Sequence, residues 1–308
     1  MSNNASVNFK ELTVAVLAGG PGSERDVSLA SAKGVVSALE GNVSKVILVD
    51  VKEAGFELPE GIDLAFNVIH GTYGEDGTLQ AELEERGVKY TGARAASSKL
   101  AFDKIESKKR FEEKGVATPR WQVVDAKSTP EAPFLPCVAK PPREGSSVGV
   151  HLVHTAEEWT AAIADAGKFS DDVLVEELIS GKELTVGVVG GKATPIIHIQ
   201  PRSGFYDMKN KYPWMTGDGG TDYFCPADLP KDVTEAVLAE SLKAHNALGI
   251  EVYSRVDLLL REVDGAFFVL EVNTIPGMTE SSLLPKSAGA AGMDYEALCL
   301  RIIEDSLA

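Results

Sequence analysis

The sequence predicts a mixed α/β and α+β protein: a parallel-sheet region at the amino terminus followed by two α+β regions. Three observations carry this. Apolar runs and helical periods alternate through the first third. A Gly/Ser loop between two short strands precedes a separately capped helix. A carboxylate-bearing hairpin follows near the carboxyl end.

In chain order, residues 14–18 are an apolar strand running into Gly19 and Gly20. A helix is expected from about Ser23, because Ser23 and Asp26 resemble a capping box, and Ala32, Val35, Val36 and Leu39 fall on one face. Strands are expected over 46–49 and 64–68, and a helix over 80–86 stopping at Gly87. This βαβ rhythm implies a parallel sheet with ligand loops at the strand carboxyl ends. A helix over 100–114 closes at Gly115. Strands over 137–140, 148–153 and 173–178 surround a helix whose start, Thr155-Ala-Glu-Glu158, reads as a capping box. After strands at 184–189 and 195–199, residues 202–222 contain four glycines and no clear period. So long a structureless stretch inside a compact chain suits a functional flap. A helix over 232–248 precedes a hairpin, 255–260 with 267–272.

Charge and cysteine content exclude several classes. Of 308 residues, 30 are Lys or Arg and 46 are Asp or Glu, a net charge of −16 with no basic block, so no nucleic-acid partner is expected. The length suits two or three domains. Cys137, Cys225 and Cys299 are odd in number and far apart, which argues against a disulfide framework or a thiolate zinc site. The polar start, 1–11, predicts no secretory leader. No uncharged run approaches a membrane span, so no membrane partner is expected and a reducing cytoplasm is the expected compartment.

The hairpin holds the strongest chemical signal. Arg255 and Asp257 share a strand face, as do Glu271 and Asn273. Val256, Leu258, Leu260, Phe268, Leu270 and Val272 form the other face and read as core. For Asp257 and Glu271 to meet, the loop must hold an odd number of residues. Val263-Asp264-Gly265 suits a three-residue loop with a left-handed glycine. Two carboxylates and one amide make an oxygen-only set of the kind Mg²⁺ favours beside phosphates. A solvated face with an Arg–Asp pair is the plain alternative. Lys140, followed by a Gly/Ser loop, offers a fixed charge and backbone N–H donors for a polyphosphate, although no Walker A sequence is present. Lys104 is a second phosphate candidate and otherwise an ordinary solvated helix lysine. The loop 14–26 departs from a dinucleotide fingerprint, because Arg25 stands where the third glycine belongs. Glu24 at that helix start suits a polar ligand or simple dipole compensation. His70 lies in a glycine-rich loop after a strand, and a structural role suits it equally.

Together the motifs resemble the D-alanine–D-alanine ligases of the ATP-grasp superfamily, over nearly the whole chain. They are Ala18-Gly-Gly-Pro-Gly-Ser-Glu-Arg-Asp-Val-Ser28, His70-Gly-Thr-Tyr-Gly-Glu-Asp-Gly-Thr-Leu-Gln80, Lys140-Pro-Pro-Arg-Glu-Gly-Ser-Ser-Val-Gly149, Tyr223-Phe-Cys-Pro-Ala227, and Arg255-Val-Asp257 with Glu271-Val-Asn-Thr-Ile-Pro-Gly-Met-Thr279. The resemblance implies a three-domain ATP-grasp fold, with an amino-terminal substrate domain (1–97), a small central nucleotide domain (98–180) and a carboxyl-terminal domain with metals and flap (181–308).

By position, the resemblance assigns Glu24, with His70 close by, to the amino group of the first D-alanine. Lys104, Lys140 and the loop residues Ser146 and Ser147 go to ATP phosphates. Glu176, Glu177, Leu178, Ile179 and Glu183 line the adenosine pocket, Glu177 standing where a lysine is expected. Asp257, Glu271 and Asn273 bind two Mg²⁺ or Mn²⁺ ions. Arg255 and the Gly277 N–H stabilise the oxyanion, and Ser282 and Leu283 receive the second substrate's carboxylate. Lys211 and Tyr212 sit on the flap, where Tyr212 joins Glu24 and Ser146 in a hydrogen-bonded trio.

The implied reaction joins two D-alanines through a D-alanyl phosphate, for peptidoglycan precursors, in a cytoplasmic homodimer. It needs charge neutralisation and water exclusion rather than a protein nucleophile, and none is evident. A D-alanine–D-lactate ligase is the alternative within the superfamily, against which Tyr212 argues. A nicotinamide oxidoreductase and a non-catalytic ATP sensor are the alternatives from other classes.

Overall fold

The structure is a computed structural model and describes residues 7–128, 130–211 and 220–308. Its first sheet is parallel, with β1 (Thr13–Gly19) between β2 (Lys45–Val51) and β3 (Leu64–Asn67). β1 is buried on both faces, which explains its unbroken apolar run. Val14, Val16 and Ala18 pack toward α1 (Arg25–Leu39), while Ala15 and Leu17 pack toward α2 (Thr78–Glu85).

The helix expected from Ser23 begins at Arg25 instead, and its N-cap Glu24 makes no side-chain cap. That carboxylate is engaged elsewhere. Arg25, which breaks the dinucleotide pattern, donates to both Asp50 carboxylate oxygens at 2.7 and 2.8 Å and to the Val51 carbonyl at 3.1 Å. It ties the loop to the end of β2, where a dinucleotide loop would need space.

The single helix expected over 100–114 is two: α3 (Ala95–Phe102) and α4 (Lys104–Lys114). Asp103 separates them in extended backbone, and its side chain accepts from the N–H groups of Ile105 and Glu106 at 3.0 and 3.2 Å. A carboxylate cap therefore restarts the helix and places Lys104 at its first position. α4 ends at Gly115 in the left-handed region, φ 66°, as expected.

The second sheet is antiparallel, ordered β4 (Trp121–Asp125), β7 (Asp172–Glu177), β5 (Cys137–Lys140), β6 (His151–Val153). It is covered by α5 (Ala156–Ala166), whose Trp159, Ala162, Ile163 and Ala166 are buried. Thr155 caps α5 by accepting from the Glu158 N–H at 3.3 Å.

The third sheet runs β11 (Thr221–Phe224), β10 (Ile197–Pro201), β8 (Gly181–Val189), β12 (Tyr253–Arg261), β13 (Phe267–Asn273), with β9 (Lys192–Ala193) paired to β8. α7 (Lys231–Ala247) packs on its apolar face. Inside the expected flap lies α6 (Met208–Lys211), and the flap's ends are joined by an Arg202–Asp222 ion pair at 2.8 Å. Tyr212 lies outside the described residues. α8 (Leu283–Ala290) and α9 (Tyr295–Leu307) follow, and α9 returns to the first sheet through Leu298, Ile302 and Ile303. No helix among the described residues is long and apolar enough to cross a membrane.

The β12–β13 hairpin corrects the loop expectation. Arg255 pairs with Asn273 and Asp257 with Glu271, but Leu258 pairs with Val269. Leu270 is thus an extra residue, a bulge. At the turn Leu260 pairs with Phe267 and the Arg261 N–H donates to Ala266 at 2.7 Å, leaving the even loop 262–265. An even loop alone would put the carboxylates on opposite faces; the bulge restores the parity. It also turns Val269 into the core, where Phe268 and Leu270 were expected, and leaves Leu270 lining a cleft.

Candidate active site

Two cavities meet between the second and third sheets. The larger, about 750 Å³, lies against Lys104, Lys140, Ser147, Glu176, Glu177, Leu178, Ile179, Glu183 and Asp257. The smaller, about 300 Å³, is lined by Glu24, His70, Arg255, Asn273, Gly277, Ser282 and Leu283. Ser146, Lys211 and Glu271 line both. Every sequence-predicted site residue that the structure describes therefore borders one continuous space.

Cations concentrate where the cavities join. Lys104 Nζ is 3.2 Å from Glu271 Oε2 and donates to the Glu144 carbonyl at 2.8 Å. Lys140 pairs with Glu176. Lys211 Nζ is 3.3 Å from Ser147 Oγ and stands 4.9 Å from the Tyr206 ring centroid. Ser146 and Ser147 both adopt the left-handed region, φ 48° and 63°. That strain marks a loop shaped by its contacts rather than by local preference. The Ser146 hydroxyl donates to Glu24 Oε1, bridging this loop to the start of α1.

The oxygen set stands at the shared wall. Asp257 accepts from Arg255 Nε and Nη2 at 2.9 and 2.7 Å, from Thr185 Oγ1 at 2.6 Å and from Asn273 Nδ2 at 2.9 Å. Burial would lower the Arg255 pKa, but Asp257 outweighs it and raises it. Burial would likewise raise Glu271, yet Lys104, Lys140, Lys211 and Arg255 together hold its carboxyl well below the ordinary range. Glu183 is pushed up to about 7 by burial, with Asp257 and Glu271 adding to the shift and Lys211 opposing it. Among the described residues, no cluster of three or more His, Cys, Asp or Glu side chains suited to a metal occurs. The available set is two carboxylates and one amide, opening on a cation-lined cavity. That composition fits a hard divalent ion sharing its coordination with phosphate and water.

The smaller cavity is built from loops. Gly71 and Gly145 flank the Glu24 carboxylate: a Cβ at either would come within 3.0 or 2.9 Å of Glu24 Oε2. His70 is buried, with Nδ1 2.9 Å from the Ile275 carbonyl and 3.6 Å from Glu75 Oε1. Burial would lower the His70 pKa, but Glu75 and Glu24 raise it; burial and Glu24 raise Glu75 in turn. The His70–Glu75 pair thus stands beside Glu24 with both groups shifted upward. Ser282 is the N-cap of α8, and its hydroxyl is 2.7 Å from Thr279 Oγ1 and accepts from the Thr279 N–H at 3.1 Å. The Leu283 side chain packs with Ile197 and Ile199. Its backbone, at the first turn of α8, belongs to the set of N–H groups that a helix leaves unpaired.

Some site residues were not singled out from sequence. Glu75 carried a signal, because it lies in the same glycine-rich motif as His70. Lys108 and Tyr206 carried little, since a mid-helix lysine and a loop tyrosine have unremarkable defaults. Glu177 lies 3.8 Å from Arg261, so the carboxylate in the expected lysine position has its own partner at the cavity rim.

Known proteins resemble this chain in both sequence and fold. The family model described as D-ala D-ala ligase C-terminus matches residues 111–304, and D-ala D-ala ligase N-terminus matches 52–93. The chain is 46% identical to a D-alanine–D-alanine ligase of Methylacidiphilum infernorum over 294 residues, 95% of each chain. It is 44% identical to that of Citrifermentans bemidjiense over 302 residues, 96% of each. Two crystal structures of D-alanine–D-alanine ligase from Bacillus anthracis are similar in fold. The one complexed with ATP has TM-score 0.82 and 33% identity, and the other TM-score 0.85 and 35% identity; each match covers 96% of this chain and 97% of the other. A family-model match over more than half of the chain, a matching fold and relatives alike over nearly the full length place this chain in the D-alanine–D-alanine ligase family.

Proposed function

We propose that this protein joins two D-alanines to D-alanyl-D-alanine at the expense of ATP. The observation that supports this most is the junction of the two cavities at Ser146, Lys211 and Glu271. A nucleotide in the larger cavity would direct its terminal phosphate toward a small amino acid in the other.

In this reading, a carboxylate oxygen of the first D-alanine attacks the γ-phosphorus, and the bond to ADP breaks. The neutral amine of the second D-alanine then attacks the acyl carbon, the carbon–oxygen bond to phosphate breaks, and the proton lost by the nitrogen leaves with the phosphate. Lys104, Lys140 and Lys211 offset charge on the transferring phosphate, with Ser146 and Ser147 closing the loop over it. Asp257, Glu271 and Asn273 would hold two Mg²⁺ or Mn²⁺ ions, which when bound neutralise the polyphosphate. Glu24, backed by His70 and Glu75, binds the first amino group. Arg255 and the Gly277 N–H face the developing oxyanion. Ser282 and the Leu283 N–H take the second carboxylate. Tyr212, by the family resemblance, would complete a trio with Glu24 and Ser146. Glu176, Glu177, Leu178, Ile179 and Glu183 line the adenosine end, and a Glu–Arg pair in the expected lysine position alters one adenine contact.

The three sheets suit a division into 1–97, 98–180 and 181–308. A homodimer in the cytoplasm, supplying peptidoglycan precursors, is the assembly and setting proposed; the free thiols Cys137, Cys225 and Cys299 suit a reducing compartment.

The test is phosphate release from ATP with D-alanine, L-alanine or D-lactate as acceptor. Release that requires D-alanine supports the reading. Release independent of D-alanine defeats it, and preferential coupling to D-lactate replaces it with the depsipeptide alternative.

A further inference from the structure

α4 carries two lysines four residues apart, Lys104 and Lys108, on one face. Lys104 borders the larger cavity, whereas Lys108 lines neither and is fully buried. Its ammonium pairs with Glu176 and lies 2.5 Å from Thr118 Oγ1. Glu176, only 2% exposed, also pairs through its second oxygen with Lys140. One dry carboxylate therefore stands between two ammonium groups. Thr118 in turn donates to the Val269 carbonyl at 2.8 Å, on the strand that bears Glu271.

A buried carboxylate needs a counterion, and removing its last partner leaves a desolvated charge at large cost. Were Lys140 the only partner, turning it toward a triphosphate would strand Glu176. The trio avoids this conflict, because Glu176 keeps Lys108 whichever way Lys140 turns.

We propose that Lys108 is a positioning residue, the resident counterion of Glu176 that releases Lys140 to engage ATP. This deepens the proposed function and rests on its assignment of Lys140 to the ATP phosphates. The Thr118–Val269 link gives Lys108 a fixed station, since the hydroxyl is anchored to β13 of the third sheet while Glu176 belongs to the second. Lys108→Met leaves Glu176 paired with Lys140, so the apo fold keeps an ion pair. The defect then falls on ATP binding, where that pair must open.

The experiment measures Mg·ATP binding calorimetrically and steady-state KM values for full-length wild type, Lys108→Met, Lys140→Met, Glu176→Gln and Lys108→Met/Glu176→Gln. Lys140→Met weakens ATP binding if the phosphate assignment holds. Lys108→Met is expected to weaken it about tenfold or more while the KM for D-alanine stays within about twofold. The double variant is expected to return ATP binding to within about threefold of Glu176→Gln alone, because no carboxylate then competes for Lys140. A general loss of packing would move both KM values and would not be rescued. Wild-type ATP binding by Lys108→Met, or a double variant more than about threefold weaker than Glu176→Gln alone, overturns the proposal while leaving the phosphate site standing. Unchanged ATP binding by Lys140→Met removes the phosphate assignment and the proposal with it.

Discussion

Asp257 and Glu271 stand directly opposite each other across β12 and β13, one step before the bulge at Leu270. Their carboxylates are held ready by different partners: Asp257 by Arg255, Thr185 and Asn273, and Glu271 by Lys104. Glu271→Gln removes one charge from this pair without changing its size. It should lower kcat by ~10²–10³ or more and weaken Mn²⁺ binding in the presence of ATP. Titration by electron paramagnetic resonance, alongside kcat, checks this. Near-normal values in both would remove Glu271 from the metal set.

That hairpin also shows how far the sequence could be read. The alternation of polar and apolar residues placed Arg255, Asp257, Glu271 and Asn273 together correctly, because a strand's period of two is visible in any sequence. The bulge was not visible. No glycine marks it, and an odd loop gave the same parity by a different route. The alternation alone therefore puts Phe268 and Leu270 in the core, where the bulge puts Val269. The break at Asp103 was hidden for a related reason: an aspartate suits a helix surface as well as a cap. Lys108 has the composition of a solvated lysine, and only the third dimension reveals Glu176 beside it. Ser23 and Asp26 suggested a cap that Glu24's tertiary contact with Ser146 displaced.

The Glu24–Ser146 contact has a consequence for the loop glycines. A Cβ on Gly145 would lie 2.9 Å from Glu24 Oε2, inside normal contact distance. Gly145→Ala should displace the carboxylate and raise the KM for the first D-alanine by about tenfold, with a smaller change for ATP. Ser146→Ala, which removes the bridging hydroxyl, should lower kcat/KM for D-alanine without altering the melting temperature by more than a few degrees, roughly 1 kcal/mol. Steady-state kinetics with each substrate varied separately distinguishes the two patterns. Equal effects on both KM values would contradict the placement of Glu24 on the amino-acid side.

Away from the site, His245 predicts acid sensitivity. It is buried on α7, with Nδ1 2.8 Å from Ser254 Oγ, and burial pushes its pKa down to about 4. The folded chain thus stays unprotonated at His245 while the unfolded chain takes up a proton near pH 6.5. The stability this residue contributes is complete above that value, falls as pH drops, and levels off near pH 4. The total is on the order of 3 kcal/mol. Denaturation at pH 7 and pH 4.5 should therefore show a larger loss in wild type than in His245→Asn. Identical losses would mean that other groups carry the acid sensitivity.

In the proposed reaction, phosphate is transferred to the carboxylate of D-alanine before the peptide bond forms. Turnover of D-alanine labelled with ¹⁸O in both carboxyl oxygens, followed by mass analysis of the released phosphate, tests it most directly. Acyl phosphate formation moves a carboxylate oxygen into the leaving group, so each phosphate should carry a single ¹⁸O. Phosphate without label, released while dipeptide accumulates, would show that the carboxyl is activated some other way and would rule out the acyl phosphate.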